Sequence, residues 1–421
     1  MVKPPPGGPA RGPAAVPTEY YRKGLGLKKE VQPQLQVEYG NQLLTLMRAQ
    51  GNQLTVGRIR FQIAASMGFC YGVDRAVEYA YQCRTKFPDR RIFLVGEIIH
   101  NPLVNQRLNS MGIEFILPSE GGHFDVSIIE PDDVAVIPAF GVSRPVFDQL
   151  RETGCAVVDT TCGSVLSVWK RVEAYARDGF TSVIHGKHYH EETRATVSQA
   201  TKYDGAHYFL VRNMAEAKLL CDFIRISDPS EQDAREFMDN FRGRSSPGFD
   251  PLLHLGRIGV ANQTTMLATE SLAIAAKIGE AMSDRYGAEQ ISDCFRSFDT
   301  ICSATQDRQD AVREMLRDPP DLMLVVGGYN SSNTCNLALL CSTYAPTFHI
   351  DTPERIDLVD GTIRHQKIMG TELLTTADWL PDGPLTIGMT AGASTPDASV
   401  GQVATRIMLL AGLDPEQAAA A

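Results

Sequence analysis

The segment QIAASMGFCYGVDRAVEYAY, at residues 62–81, has a sequence pattern that occurs twice more in the chain. In each copy a cysteine opens a helix-like segment, and in the first two a clear apolar strand precedes it. The other copies are AVVDTTCGSVLSVWKRVEAY at residues 156–175 and RSFDTICSATQDRQDAVREM at residues 296–315. The recurrence predicts three related α/β modules, each presenting one thiol. These thiols belong to Cys70, Cys162 and Cys302.

Short apolar runs of strand length alternate with helical segments through the rest of the chain. The apolar run at the start of each segment ends at a glycine or a small polar residue. The segments are RIFLVGEIIHNP (91–102), DVAVIPAFGVSRP (133–145), TSVIHGKHYHEE (181–192), RIGVANQTT (257–265), LMLVVGGYNSSN (322–333) and LTIGMTAGASTP (385–396). Such runs between helices are typical of buried parallel strands. Because binding groups collect at the carboxyl ends of parallel strands, we expect the functional residues there.

Length and local composition suggest how the chain is divided. A chain of 421 residues predicts two or three domains. Residues 1–17 are rich in Pro, Gly and Ala, and we expect them to be disordered. The predicted divisions are an N-terminal extension at 1–57, modules at 58–160, 161–300 and 301–412, an insertion near 226–252 and a frayed tail at 413–421.

The overall composition excludes several classes of protein. Hydrophobic residues make up 43% and charged residues 21%, which are values of a globular protein. The net charge of −10 provides no global basic field for nucleic acid. The sequence shows neither a membrane-spanning apolar stretch nor the apolar core of a signal peptide, so we expect a cytoplasmic protein.

The nine cysteines include no CxxC pair, which argues against a zinc ribbon. A thiol at a helix N-terminus is expected to have a lowered pKa, and the thiolate binds soft metals. Buried cysteines are also common as small apolar core residues. We predict that packing role for the other six, which are Cys83, Cys155, Cys221, Cys294, Cys335 and Cys341.

Two kinds of polar segment follow the predicted strands. HGKHYHEET at residues 185–193 fits a polar surface loop, a zinc site or a proton relay that joins an imidazole to a carboxylate. His100 ends another strand, where a structural role is the alternative. NSSNT (330–334) and TAGASTPDASV (390–400) each precede a helix, whose N-terminus favours anions. Ordinary helix capping would explain the same residues.

Eight motifs, in order, resemble those of the LytB-type 4-hydroxy-3-methylbut-2-enyl diphosphate reductases, which act last in the non-mevalonate isoprenoid pathway. They extend over roughly residues 58–410, and the long N-terminal segment with PAFG and HGKHYHEET resembles the plant and cyanobacterial branch. The motifs are GFCYGVDRAV (68–77), EIIHNP (97–102), VVDTTC (157–162), HGKHYHEET (185–193), QTT (263–265), ICSATQDRQ (301–309), VVGGYNSSN (325–333) and GMTAGASTPD (388–397).

The resemblance implies a trefoil of three pseudo-symmetric α/β modules with small parallel sheets around a central [4Fe–4S] cluster. Cys70, Cys162 and Cys302 match the cluster cysteines and leave one iron without a protein ligand. That open iron would act as a Lewis acid toward the substrate hydroxyl. The implied reaction is reductive dehydroxylation of the diphosphate substrate to isopentenyl and dimethylallyl diphosphate.

The resemblance also implies roles for individual side chains. Glu192 matches the proton-donating catalytic carboxylate, and Thr264 matches the hydroxyl that helps to place the substrate. The residues that match the diphosphate-binding set are His100, His190, Ser331, Ser332, Asn333 and Ser394. A ferredoxin or flavodoxin would supply the electrons.

Two positions depart from the family pattern. Phe140 stands where the family often has a further histidine, and Gly163 stands where a proline usually follows the middle cysteine. Two other functions remain alternatives. A hydro-lyase would use the same open iron without a reductant, and a zinc-binding or purely interacting protein would keep the cysteines in its core.

Overall fold

The computed structural model describes residues 19–416, so the predicted disorder over residues 1–17 lies outside the described part of the chain. The strands are β1 (Tyr20–Tyr21), β2 (Gln53–Val56), β3 (Ile59–Ile63), β4 (Ile92–Val95), β5 (Ile113–Ile116), β6 (Val134–Ile137), β7 (Ala156–Asp159), β8 (Thr181–His185), β9 (Tyr208–Val211), β10 (Ile258–Asn262), β11 (Phe295–Ser297), β12 (Leu322–Val326), β13 (Thr347–Ile350), β14 (Ile363–Gln366), β15 (Leu373–Thr376) and β16 (Leu385–Ala391). The helices are α1 (Lys28–Tyr39), α2 (Gln42–Ala49), α3 (Tyr71–Lys86), α4 (Pro102–Ser110), α5 (Arg144–Thr153), α6 (Gly163–Arg177), α7 (Glu191–Ala200), α8 (Met214–Arg225), α9 (Glu231–Asp239), α10 (Pro251–His254), α11 (Ala268–Tyr286), α12 (Ile291–Cys294), α13 (Ser303–Met315), α14 (Ser332–Ser342) and α15 (Asp397–Leu410).

The strands form three separate sheets. The first has the order β1-β7-β6-β4-β5 and the second the order β11-β10-β8-β9, and every pairing in both is parallel. Strands β4, β6, β7 and β8 are buried at every position, which explains why they read as unbroken apolar runs. The predicted α/β fold with small parallel sheets is therefore confirmed.

The third sheet has the order β15-β14-β13-β12-β16-β3-β2. Its centre, from β13 to β3, is parallel, whereas β2 at one edge and β14 and β15 at the other pair in antiparallel fashion. This sheet therefore joins the two ends of the chain, since β3 pairs with β16 from Leu385↔Ile59 to Met389↔Ile63.

Each of the three cysteines lies where the chain crosses from one module to the next. Cys70 follows a strand of the third sheet and precedes α3, which packs in the core of the first sheet. Cys162 follows β7 of the first sheet and precedes α6, which packs on the second. Cys302 follows β11 of the second sheet and precedes α13, which packs on the third. These crossovers bring the three thiols to the common centre of the modules.

The sheets do not follow the predicted module boundary at residue 58. We assigned β3 to the first module and residues 1–57 to an extension, but β2 and β3 pair in the third sheet and β1 pairs with β7 in the first. Helices α1 and α2 contribute to the apolar cores of the first and third sheets. The sequence pattern shows that a strand exists, but its partner strand is distant along the chain and leaves no local signal.

The predicted insertion near 226–252 contains α9 and the start of the short helix α10. The predicted frayed tail begins differently, because Leu413 packs against the core of the third module. Residues 417–421 lie outside the described part. Among residues 19–416, no helix combines the length and the apolar character needed to cross a membrane.

Candidate active site

A cavity lies at the centre of the three modules. The structure brings every predicted site residue to this one cavity, although they come from all three sheets. The predicted residues on its wall are Cys70, His100, Cys162, His190, Glu192, Thr264, Cys302, Ser331, Ser332, Asn333 and Ser394.

The three cavity thiols occupy equivalent positions at the N-termini of helices. Cys70, Cys162 and Cys302 are the residues immediately before α3, α6 and α13, and each has an extended backbone. The sulfur of Cys70 accepts the Val73 N–H at 3.5 Å, and that of Cys302 accepts the Thr305 N–H at 3.4 Å. The helix starts at Gly163 even though no proline stands there, so that departure leaves the helix intact.

Gly72 keeps the space between two of these thiols open. A Cβ atom at position 72 would lie 2.6 Å from the sulfur of Cys162 and 3.9 Å from the sulfur of Cys70. Carbon and sulfur cannot approach to 2.6 Å without displacement of one of them. The missing side chain therefore makes room in front of the Cys162 sulfur.

The predicted lowering of the thiol pKa values is wrong for Cys70 and Cys302. Burial raises the pKa of the Cys70 thiol, and it raises the pKa of Cys302 to about 11. Hydrogen bonds from the first helical turn oppose these shifts, as does the Arg308 charge for Cys70, but desolvation of the thiolate is larger. Both thiols are therefore protonated at neutral pH until a bound metal displaces the proton.

The imidazole rings of His100 and His190 lie next to each other at the cavity. Their Nε2 atoms are 3.3 Å apart, and Nδ1 of His100 lies 2.9 Å from the Glu97 carboxylate. Nδ1 of His190 accepts the Glu192 N–H at 3.2 Å, which leaves the His190 proton on Nε2. Phe140 stacks on His100 with ring centroids 4.2 Å apart. Burial holds the pKa of His190 well below its usual value, so this imidazole is neutral.

Glu192 is buried beside the cavity and bonds twice to one residue. Its Oε1 accepts the Thr264 N–H at 2.6 Å, and its Oε2 lies 3.0 Å from the Thr264 hydroxyl. Burial raises the pKa of this carboxyl to about 7, because desolvation outweighs both hydrogen bonds. The carboxyl can therefore hold a proton near neutral pH, as a general acid must.

The polar loops before α14 and α15 add further polar groups to the cavity. Asn333 Oδ1 accepts the Ala393 N–H at 2.9 Å, while its Nδ2 is buried with no hydrogen-bond partner. Ser394 donates to the carbonyl of His100 at 3.1 Å. Gln263 connects two polar segments, because its Nε2 lies 3.3 Å from Ser332 Oγ and its Oε1 accepts the Lys187 N–H at 3.0 Å.

Six helices begin at or directly beside the cavity residues. Three start after the cysteines, and α4, α7 and α14 start beside His100, His190 and Ser331. The N-terminus of a helix carries partial positive charge and unpaired N–H groups. Their convergence makes the cavity favourable for anionic ligands, although few charged side chains line it.

The other members of the histidine segment do not reach the cavity. His185 is buried at the end of β8, where its Nδ1 lies 2.9 Å from Ser271 Oγ, and His188 is exposed beside Tyr189. Nowhere in residues 19–416 do three His, Cys, Asp or Glu side chains come close enough to hold a single metal ion. In this structure the histidines of the segment are therefore dispersed and form no three-ligand group among the described residues.

Several residues at the site had no assigned role in the sequence analysis. Glu97 lies three residues before His100, a spacing that was visible in the motif EIIHNP. Gln263 belongs to the quoted motif QTT. Buried Arg308 donates to the Gly68 carbonyl at 2.6 Å, which ties α13 to the loop before Cys70. Nothing local in the sequence indicates that contact.

Comparisons with known proteins identify one family. The family model described as LytB protein matches residues 61–408. The chain is 45% identical over 392 residues to a 4-hydroxy-3-methylbut-2-enyl diphosphate reductase of Thermosynechococcus vestitus, covering 93% of this chain and 94% of the relative. It is 44% identical over 398 residues to the reductase of the same name from Gloeobacter violaceus, covering 94% of this chain and 93% of the relative.

Two solved structures are also similar. One is of (E)-4-hydroxy-3-methyl-but-2-enyl diphosphate reductase, the terminal enzyme of the non-mevalonate pathway. It is 26% identical, has a TM-score of 0.50, and the match covers 84% of this chain and 99% of that one. The Plasmodium falciparum E-1-hydroxy-2-methyl-but-2-enyl-4-diphosphate reductase is 20% identical with a TM-score of 0.59, covers 83% and 87% of the two chains, and shares the fold. Because the family model and the relatives extend over most of its length, the chain belongs to the LytB family.

Proposed function

We propose that this chain reduces 4-hydroxy-3-methylbut-2-enyl diphosphate to isopentenyl diphosphate and dimethylallyl diphosphate. In this reaction two electrons and two protons convert the allylic C–O–H group into C–H and water. The observation that carries the proposal is the single cavity on which three thiols, a buried carboxyl and a set of neutral anion-binding groups converge. The chain's near full-length relatives are reductases of this name.

Cys70, Cys162 and Cys302 are the proposed ligands of a [4Fe–4S] cluster. The three thiols line one cavity, and Gly72 leaves the space that a bulky group would need beside two of them. Thiolates are the ligands that hold iron–sulfur clusters in proteins, and three of them leave one corner of a [4Fe–4S] cluster without a protein ligand. When bound, such a cluster would supply electrons and, at the iron without a protein ligand, a Lewis acid.

The diphosphate would bind among polar groups that carry little charge of their own. His190 carries its proton on Nε2, 3.3 Å from Nε2 of His100, and Asn333 Nδ2 is a buried donor without a partner in the protein. An unpaired buried donor is costly unless a ligand satisfies it. The remaining proposed groups are His100, Ser331, Ser332 and Ser394.

Glu192 is the proposed proton donor. Thr264 fixes both of its carboxyl oxygens, so the acid has a defined orientation at the cavity wall. Glu97 positions His100, since its carboxylate lies 2.9 Å from Nδ1 of the imidazole. A ferredoxin or flavodoxin is the proposed electron donor.

The first experiment measures iron, acid-labile sulfide and zinc per chain after purification without oxygen. We expect about four irons, about four sulfides and negligible zinc. Zinc without sulfide after anaerobic reconstitution would overturn the cluster. The replacement Cys162→Ser should abolish or strongly reduce cluster assembly, and a fully loaded, active variant would contradict the ligand role.

A second assay separates the reductase from a hydro-lyase. The reductase consumes two reducing equivalents per substrate and gives no product without a reductant. A hydro-lyase would turn over with the same iron content in the absence of any reductant. Product formation that needs no electrons would therefore refute the proposed reaction while leaving the cluster in place.

A further inference from the structure

Helix α6 begins directly after Cys162 and exposes one continuous surface from that cysteine outward. Gly163, Ser167 and Lys170 follow one another at intervals of four and three residues, and all are exposed, as is Arg171 beside them. We call these four residues the α6 face. Lys170 lies eight residues beyond Cys162, which is about 12 Å along the helix.

The charge of the α6 face differs from that of the other two cysteine helices. Lys170 and Arg171 form no ion pair with a carboxylate in residues 19–416. On α13 the exposed residues at comparable distance from Cys302 are acidic, namely Asp307 and Asp310. On α3 the exposed charged residue near Cys70 is Asp74. The α6 face therefore carries two basic residues where the other two cysteine helices expose acidic ones, in a chain of net charge −10.

The protein layer over the thiols is thin at this place. Tyr71, next to Cys70, is 83% exposed, and a Cβ on the adjacent Gly72 would lie 2.6 Å from the sulfur of Cys162. Apart from its chain neighbours and the backbone of its own helix, no atom lies within 4 Å of a Cβ built on Gly163. At the other border Arg171 stacks on Phe298, which is 41% exposed, at 3.9 Å. Exposed aromatic rings and arginine are enriched at the centres of protein interfaces.

We propose that the α6 face, bordered by Tyr71 and Phe298, is the docking surface for a small acidic one-electron carrier protein of the ferredoxin type. The inference rests on the proposed function, because it places the electron supply of that reaction. At each encounter the reduced carrier would be oxidised by one electron, and the metal centre that the cavity thiols would hold would be reduced by that electron. Two encounters supply the two electrons of one turnover.

Opposite charges on the two partners would steer the encounter and set its orientation. The test therefore reverses the charges on the α6 face in the holoenzyme, with Lys170→Glu alone and with Lys170→Glu/Arg171→Glu. The readouts are the Kd of a purified reduced plant-type ferredoxin and its KM as electron donor. We expect the double variant to raise both by about tenfold or more, the low end of electrostatic steering. The difference should shrink in high salt.

Two controls establish whether a loss of affinity belongs to the α6 face. Lys218→Glu/Arg235→Glu makes the same change in net charge on exposed residues of α8 and α9, and it should leave the ferredoxin Kd and KM within about twofold of wild type. Turnover driven by dithionite with methyl viologen should be unchanged in every variant, because a small reductant needs no docking surface.

Each outcome has a defined meaning. An unchanged ferredoxin Kd in the double variant, or an equal loss of affinity in the control variant, would overturn the docking surface. Loss of the dithionite-driven rate would place these residues in cluster stability rather than docking, and this also overturns it. Failure of the wild type to reduce the diphosphate with dithionite would refute the proposed function, while the Kd measurements would still decide whether the carrier binds here.

Discussion

Replacement of Glu192 by glutamine tests the proposed acid with little structural change. The carboxyl accepts the Thr264 N–H at 2.6 Å through Oε1 and lies 3.0 Å from the Thr264 hydroxyl through Oε2. The glutamine carbonyl can keep the first bond, and its amide group can donate the second. The substitution therefore removes the transferable proton while it preserves size and contacts.

The expected loss of turnover follows from the contribution of general acid catalysis, about 10²–10⁴-fold. Burial raises the folded pKa of Glu192 to about 7 from an ordinary value of 4.5. Between these values the folded state binds more protons than the unfolded state, so rising pH lowers the free energy of unfolding. Glutamine abolishes this penalty, which is about 1 kcal/mol at pH 5 and about 3 kcal/mol at pH 8.5.

The assay compares wild type and Glu192→Gln for metal content, substrate Kd, dithionite-driven turnover and urea unfolding at both pH values. We expect equal iron and sulfide, a similar substrate Kd, a large loss of kcat, and a variant that is more stable than wild type at pH 8.5. The wild-type kcat should also fall as the pH rises through about 7, since the acid form disappears.

The neighbouring replacement Glu191→Gln is the matched control. Glu191 lies in the same first turn of α7 but does not line the cavity, so this variant should retain most of the wild-type turnover. Turnover of Glu192→Gln within threefold of wild type would remove Glu192 from the mechanism. A stability difference that does not grow between pH 5 and pH 8.5 would refute the raised pKa.

Three further substitutions test the cavity. Gly72→Ala should lose most of the iron and sulfide, because its Cβ would lie 2.6 Å from the Cys162 sulfur. The control Gly163→Ala places its Cβ in open space and should bind the full amount of metal. Equal metal content in the two variants would contradict the steric role of Gly72. Glu97→Gln weakens the positioning of His100 and should raise the substrate KM about tenfold, with little change in metal content. An unaltered KM would exclude the positioning role of Glu97. Asn333→Asp keeps the bond from the Ala393 N–H but removes the unpaired Nδ2 donor, so it should raise the substrate Kd at least about tenfold, as binding measurements would show.

The local part of the architecture could be predicted from the sequence. Each local feature depends on residues that are close together in the sequence. These features are the cysteine before each helix, the buried strands and the polar strand ends, and each can be recognised in a short stretch of sequence. For that reason Cys162 was correctly expected at the start of a helix even though Gly163 replaces the usual proline. The ordered motifs likewise predicted the site residues that the structure places at one cavity.

Tertiary structure decided what depends on distant partners and on burial. Strand β3 pairs with β16, more than 300 residues away, so the predicted boundary at residue 58 misplaced it. Burial also reversed the expected direction of the Cys302 pKa shift, because desolvation of the thiolate exceeded the effect of the helix N-terminus. The contact of Glu97 with His100 and the unpaired Nδ2 of Asn333 became visible only in the folded cavity. The sequence by itself determined which chemical groups stand at helix starts, whereas the packing of three modules determined their protonation, their partners and the space between them.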